Sequence, residues 1–253
     1  MATYNGSKYI KEQLCSILKQ LDKNDELIIA DDSSTDDTVK IIKSMKDKRI
    51  LLLDKAKIRV PSYTFLYALL NVSGEKVFLA DQDDIWEDNK VKKLSELLDV
   101  YDLVVSDAKV IDGDGKIIRD SLFEYIGARP GLIQNLYRNT YFGCSMAFRR
   151  DFLEIAMPFP FYTGMQHDAW LGFMAEFYGR TFFCKEKLFS YRRHGKNVSL
   201  IISKNQKSSS SKEEASAWED FSSKVYLLLN TLLRFNKNIK RIFLRFKRRI
   251  TTS

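Results

Sequence analysis

The sequence predicts an α/β protein: a doubly wound, mixed and mainly parallel sheet flanked by helices, followed by a basic helical tail. Three observations predict it. Four short apolar runs, at 27–30, 50–53, 77–80 and 103–106, have the length and composition of strands buried on both faces. Helical patterns lie between them, which is the signature of βαβ units. Acidic residues cluster where two of the runs end, the edge at which open α/β sheets bind ligands. At 253 residues the chain is long enough for one such domain and an appendage.

The elements are taken in order. Asn5-Gly6 marks a turn before the first helix, so a strand should precede it. Only Met1, Ala2 and Thr3 stand there, which is short for such a sheet, and about five to eight further residues are expected upstream. Ile10, Leu14, Ile17, Leu18 and Leu21 recur on one helical face. Ser34-Thr35-Asp36-Asp37 fits a helix start, with a hydroxyl cap and acids in the first turn. Val91, Leu94, Leu97 and Leu98 repeat the helical pattern. The stretch 107–200 is less regular. Val110 to Ile118 reads as a hairpin with a glycine-containing turn. That turn has the outline of a calcium loop, but Lys116 stands where an oxygen ligand is required and no closing Glu follows. Segment 157–170 is aromatic-rich and proline-broken, as binding loops often are. The expected organisation is a domain at 1–202, a polar linker at 203–212 and a basic amphipathic helical tail at 213–253.

Charge is divided unevenly between these parts. Lys and Arg number 41 against 33 Asp and Glu, a formal net charge of +8. Eight of the basic residues fall in 230–253, where no acid occurs, so the rest of the chain is formally neutral. A basic groove through the main domain is therefore less expected, and no nucleic-acid partner is expected for it. In the tail, Leu228, Leu232, Phe235, Ile239, Ile242, Phe246 and Ile250 share a helical face opposite the cations. Such a helix can lie in an anionic membrane surface, each cation contributing about 1 kcal/mol. Packing on the domain or on another chain is the alternative. Cys15, Cys144 and Cys184 are far apart with no CxxC spacing, which suits reduced thiols rather than a disulfide framework or zinc site. No apolar run approaches the ~18 residues that span a bilayer.

Candidate chemistry sits in three loops. In Leu79-Ala80-Asp81-Gln82-Asp83-Asp84-Ile85-Trp86, three carboxylates follow an apolar run. Clustered carboxylates repel unless a cation neutralises them, and oxygen-rich clusters suit Mg²⁺ or Mn²⁺ bridging to a diphosphate. A solvated acidic turn is the plainer reading, since Glu87 and Asp88 continue the run. Asp31-Asp32 ends another run, where a carboxylate can accept a hydrogen bond from a nucleotide. Thr3-Tyr4-Asn5-Gly6 is the third loop. One sheet edge carrying all three would form a nucleotide pocket.

These loops together resemble the family 2 glycosyltransferases of the GT-A fold. The Asp81-Gln82-Asp83-Asp84-Ile85-Trp86 stretch is most similar to bacterial rhamnosyltransferases that build O-antigen and capsule. The resemblance continues through Gly143-Cys144-Ser145-Met146, Gln166-His167-Asp168-Ala169-Trp170 and Tyr191-Arg192-Arg193-His194, and it spans about residues 1–200. It implies that Ala2, Tyr4 and Asn5 line the base pocket, that Asp32 binds the base-ring imide and that Asp81 contacts the ribose. It implies that Asp83 ligates a divalent cation, Mg²⁺ or Mn²⁺, with His194 beside it, that Arg193 closes over the diphosphate and that Asp168 is the catalytic base. The residue before that base is usually Glu; here it is His167.

The resemblance also implies an activity, that of an inverting, metal-dependent transferase. Such an enzyme would move a sugar, rhamnose from dTDP-rhamnose, from a nucleotide-sugar donor to a lipid-linked saccharide acceptor, working from the cytoplasm at the inner face of the plasma membrane. Two other readings stand beside it. Asp81-x-Asp83 after an apolar run also suggests an aspartyl-nucleophile phosphatase, although Ile85 replaces the usual Thr or Val and the Asp31-Asp32 pair goes unexplained. A non-catalytic membrane- or nucleic-acid-binding module driven by the tail is the third.

Overall fold

The computed structural model describes residues 1–53, 57–159 and 166–195. The expected linker at 203–212, the tail at 213–253 and residues 160–165 of the proline-broken segment lie outside the described residues. In chain order the elements are β1 (Ala2–Thr3), α1 (Ile10–Leu18), β2 (Leu27–Asp31), α2 (Thr38–Ser44), β3 (Ile50–Leu52), α3 (Pro61–Leu69), β4 (Lys76–Phe78), β5 (Ile85–Trp86) and α4 (Lys90–Leu98). After these come β6 (Leu103–Ile111), β7 (Ile117–Arg119), α5 (Leu122–Ile126), α6 (Leu132–Tyr137), β8 (Met146–Arg149), α7 (Arg150–Ala156), α8 (His167–Tyr178) and β9 (Thr181–Arg192).

The strands form two hydrogen-bonded sheets, mixed when taken together and flanked by helices. The parallel one is the N-terminal unit β1-β2-β3, with Ala2 opposite Ala30 and Leu27 opposite Ile50. The second unit runs β4-β8-β6-β9-β5, with β7 on β6. There only β6 and β9 run parallel; β4–β8, β6–β8, β5–β9 and β6–β7 are antiparallel. The apolar runs at 77–80 and 103–106 are buried as expected, but β8 is inserted between them. Met146, Ala147 and Phe148 are fully buried there. An antiparallel strand covered on both faces reads in sequence much like a parallel one.

Packing follows the helical stripes. Ile10, Leu14 and Ile17 of α1 pack with Ala80 and Trp86, while Leu94 and Leu98 of α4 pack with Val104, Ala147 and Leu188. Helix α1 stops at Leu18, so Leu21 completes the apolar face from beyond the helix end. Helix α2 starts at Thr38, whose amide is capped by the Asp36 carboxylate at 3.0 Å, not by Ser34. Ser34 is drawn off to Asp31, its hydroxyl donating at 2.6 Å. Helix α8 buries Trp170, Leu171, Phe173 and Met174, and the Trp170 indole donates to Ala156 O at 2.9 Å. The β6–β7 hairpin closes as expected. Asp112 Oδ1 accepts the amides of Asp114 and Lys116 at 3.0 and 2.9 Å, and Gly115 takes φ +88°. That carboxylate oxygen holds its own turn. Cys15, Cys144 and Cys184 are all unpaired thiols.

The topology brings the chain back to one place. The acidic loop leaves β4 and re-enters the sheet as β5, which pairs with β9 through Ile85–Ser190 and Trp86–Phe189. Register shifts along β6 and β9 near Ser106 and Asp107 bend the ladder. The end of β9 therefore delivers Arg192, Arg193 and His194 beside the loop that carries Asp83. A cavity of about 640 Å³ opens between the beginnings of β2 and β4, lined by Leu27, Ile28, Val77 and Leu79 among others. None of the residues singled out for chemistry lines it.

Candidate active site

Three loops are laced together at the C-terminal ends of β1, β2 and β4. Asp31 accepts from Thr3 Oγ1 at 2.9 Å, Ser34 Oγ at 2.6 Å and Ser34 N at 2.9 Å. Ser34 Oγ in turn accepts from Asn5 N at 2.9 Å, and Thr38 Oγ1 from Gly6 N at 2.8 Å. Asn5, at φ +47°, turns its side chain to accept from Thr35 N at 2.8 Å. The third loop joins through Gln82. Its amide clamps the Tyr4 backbone, accepting from Tyr4 N at 2.9 Å and donating to Tyr4 O at 3.0 Å. A Cβ at Gly6 would lie 2.2 Å from Gln82 Oε1, so a larger residue there would push the Gln82 side chain aside.

Asp83 faces the end of β9. Its Oδ2 lies 2.7 Å from His194 Nε2, and the two side chains are only 13% and 16% exposed. Burial raises the Asp83 carboxyl above its ordinary pKa, against the opposing contact with His194. Tyr9 stacks on the His194 ring at 5.0 Å and lies under the Arg192 guanidinium at 4.8 Å. Arg192 is buried. It donates to Asp83 O at 2.8 Å and to Glu12 Oε2 at 2.7 Å, and its backbone amide donates to Asp84 Oδ1 at 3.0 Å. One oxygen of Asp84, Oδ2, is buried and makes no hydrogen bond among the described residues. Asp81 titrates high, at about 7, because it is buried and because Asp83 and Asp168 add negative charge nearby.

Asp168 lies in the first turn of α8, where the helix dipole favours an anion. Its Oδ1 accepts the Ala169 amide at 2.6 Å, and the Gly143 amide also donates to it. Burial outweighs those donors and pushes its carboxyl up to about 6. His167 precedes it, with its ring stacked on Phe65 at 4.2 Å and pressed against Gly143. Burial pulls its pKa down to about 3, so the ring is neutral at ordinary pH.

The structure thus gathers Asp81, Asp83, His194 and Asp168 at one end of the sheet, with Tyr4, Asn5 and Asp32 on the adjoining loops. Tyr4 is exposed, whereas Ala2 packs partly against the core. Asp32 is buried and accepts from Ile58 N at 2.7 Å. Asp31 serves as the bracket between β1 and the β2 loop. Arg193 donates to the Tyr125 hydroxyl at 3.1 Å, and it is its neighbour Arg192 that grips the Asp83 loop. Sequence reasoning missed Gln82, Arg192 and Lys90. The first sits inside the acidic motif and was overshadowed by its carboxylates. Lys90 comes after an acidic stretch and reads as an ordinary surface lysine, yet it is fully buried.

The residues present suit a divalent cation. A buried carboxylate and an imidazole stand side by side at Asp83 and His194, an O/N donor pair that such ions accept.

Comparison with known proteins agrees with this geometry. Residues 1–157 match the model of glycosyl transferase family 2, and the chain belongs to that family. A β-1,3-glucosyltransferase of Escherichia coli, WfgD, acts from UDP-Glc on α-D-GlcNAc-diphosphoundecaprenol by its name. It is 25% identical over 178 residues, 70% of this chain and 68% of its own length. The dTDP-rhamnosyl transferase RfbG of Shigella flexneri is 35% identical over 105 residues, 39% of this chain and 36% of its own length. Among solved structures, Staphylococcus aureus TarS in complex with UDP-GlcNAc superposes with a TM-score of 0.63 at 21% identity, covering 92% of this chain and 70% of that one. The chain spans 64% and 68% of the length of two curated relatives it matches, and about a third of others. The chain has the GT-A architecture expected from its motifs.

The loop lacing has a testable consequence. Gly6→Ala should displace the Gln82 amide from Tyr4, since a flexible side chain yields more readily than backbone. Nucleotide affinity should fall about tenfold, equivalent to ~1.4 kcal/mol, while the unfolding transition stays cooperative. Gln82→Ala should produce the same loss, and the double variant should be no worse than Gln82→Ala alone. Additive losses in calorimetric titrations would show that the clamp is not what Gly6 protects.

Proposed function

We propose that the chain transfers a sugar with inversion from a nucleoside-diphosphate donor to a hydroxyl of a lipid-linked saccharide, with a divalent cation held by Asp83 and His194. The observation that carries this reading is the shared pocket of donor motif and base. Asp168 lies close enough to Asp81 for its charge to raise the Asp81 pKa. The Asp168 carboxylate takes the proton of the acceptor hydroxyl as that oxygen attacks the anomeric carbon. The bond to the nucleoside diphosphate breaks on the opposite face. Asp32, Asp81 and the Tyr4–Asn5 turn hold the nucleoside. The cation, when bound, offsets the charge that grows on the departing diphosphate. Arg193, at the end of β9, supplies a further positive charge on that side.

The donor favoured is dTDP-rhamnose, supported by the motif resemblance and by the likeness to RfbG. UDP-glucose is the second reading, because the WfgD match extends over more of the chain. WfgD also supports a polyprenyl-diphosphate-linked acceptor. No helix among the described residues is long and apolar enough to cross a membrane. The basic amphipathic sequence at 213–253 supports peripheral attachment to an anionic leaflet, where such an acceptor is presented.

Three measurements test this reading. Thermal shifts with dTDP-rhamnose and UDP-glucose, each with and without Mn²⁺, should show the larger stabilisation with dTDP-rhamnose and metal, through binding linkage. Asp83→Ala should lose the metal-dependent part, and a wild-type protein stabilised by neither donor would sink the proposal. Asp168→Asn should reduce turnover by at least about a hundredfold, the contribution of a general base, with donor binding nearly intact. In the wild type, the base must be ionised, and its pKa is raised to about 6. Turnover should therefore fall as pH drops through about 6; a flat profile down to the ordinary carboxylate range would remove Asp168 from the role. Finally, removal of residues after 211 should move the protein from anionic vesicles to the supernatant in a sedimentation assay. Retention on the vesicles would place the attachment elsewhere.

A further inference from the structure

Lys90 stands against two physical rules. It opens helix α4, where the helix dipole disfavours a cation. It is also fully buried, where an ammonium is costly unless paired. Its surroundings account for it. The Nζ donates to Cys144 O at 2.9 Å and lies over the rings of Phe189 at 4.0 Å and Trp86 at 4.6 Å. The Asp84 and Asp81 carboxylates act on it from the acidic loop. Ligand atoms of Asp81, Asp84 and Cys144 come within 4.8 Å of one another, a spacing that would suit a metal ion. Lys90 brings a positive charge to that cluster from below.

We propose that Lys90 is a positioning residue that acts as the fixed counter-ion of the Asp81–Asp84–Cys144 cluster, holding the acidic loop and the base in one register. The inference rests on the proposed transferase reading and extends it. The link to the base runs through the turn at Gly143–Ser145. Lys90 holds that turn by the Cys144 carbonyl, and the Gly143 amide of the same turn donates to Asp168. One ammonium thus ties the loop that presents Asp83 to the element that steadies Asp168. It also keeps a divalent cation from settling under the loop, leaving Asp83 and His194 as its site.

The test uses the full chain and its Lys90→Met, Asp84→Asn and double variants. Mn²⁺ alone is titrated by electron paramagnetic resonance, alongside turnover and thermal unfolding. Lys90→Met should bind one more Mn²⁺ per chain than the wild type, whatever the wild-type number. Its turnover should fall at least tenfold at saturating donor, with KM changed much less. Removing the opposing charge should rescue it, so the double variant should regain most of that turnover, or regain a cooperative unfolding transition where Lys90→Met alone does not fold. Wild-type Mn²⁺ stoichiometry with undiminished turnover would overturn the proposal. So would a loss that Asp84→Asn does not rescue, since a lysine that merely fills space is indifferent to that charge. Failure of the transferase reading would show separately, as a wild-type protein that binds no donor.

Discussion

The site depends on solving one electrostatic problem: several carboxylates must meet at one sheet edge without driving each other apart or losing their charge. Two unit charges 4 Å apart interact by about 4 kcal/mol at the effective dielectric of a protein surface. Asp81, Asp83, Asp84 and Asp168 share such a region, and the raised pKa values of Asp81 and Asp168 record the burial behind it. The chain meets this with cations drawn from distant positions. Arg192 and His194 arrive from the end of β9, and Lys90 rises from the start of α4. Arg192 and His194 are also hydrogen-bonded to the acidic loop, and Lys90 to the Gly143–Ser145 turn, so charge balance and loop geometry are one constraint.

The mixed topology serves that constraint. A purely parallel sheet would carry the chain away from the acidic loop after each crossover. Here β8 doubles back between β4 and β6, which sets the Gly143–Ser145 turn beneath the loop. The long β9 then runs parallel to β6 and ends at the loop that leaves β4. The pairing of β5 with β9 is only two residues long, yet it pins the acidic loop on its C-terminal side. Gln82 pins its middle to Tyr4, and Gln13 reaches Asp81 O at 2.9 Å. The carboxylates are therefore carried on a loop held from three sides, the preorganisation that charge stabilisation requires.

Much of this was legible in the sequence and some was not, for physical reasons. The runs at 27–30, 77–80 and 103–106 stood out because strands covered on both faces are continuously apolar, whereas the run at 50–53 forms the edge strand β3 with Leu51 47% exposed, not the doubly buried strand expected. The acids at the ends of two of them marked the functional edge. Strand β9 escaped notice because Lys185, Glu186 and Lys187 interrupt it; the first two are exposed, and Lys187 pairs with Asp120. Strand β8 is too short, and α8 too uniformly apolar, for period alone to separate them from loop or strand. Arg192 and Arg193 are adjacent and chemically alike, so only the backbone direction at the end of β9 decides which one grips the Asp83 loop. Lys90 could not have been found by pattern, because its burial depends on rings at Trp86 and Phe189 that converge from separate strands.

The pair His167-Asp168 shows the same economy of charge. The family resemblance implies a Glu before the proposed base, Asp168, and His167 stands there instead. A carboxylate at that position would add negative charge beside a region already crowded with it. The His167 ring instead packs on Phe65 and against Gly143, and burial keeps it uncharged. It therefore neither repels Asp168 nor pairs with it. The basicity of Asp168 is left to its own burial, opposed by the Ala169 and Gly143 amides. That balance leaves the group ionised at neutral pH yet more basic than an exposed carboxylate, which is the state a proton acceptor needs. A neutral His167 ring thus adds no charge beside Asp168, the proposed base.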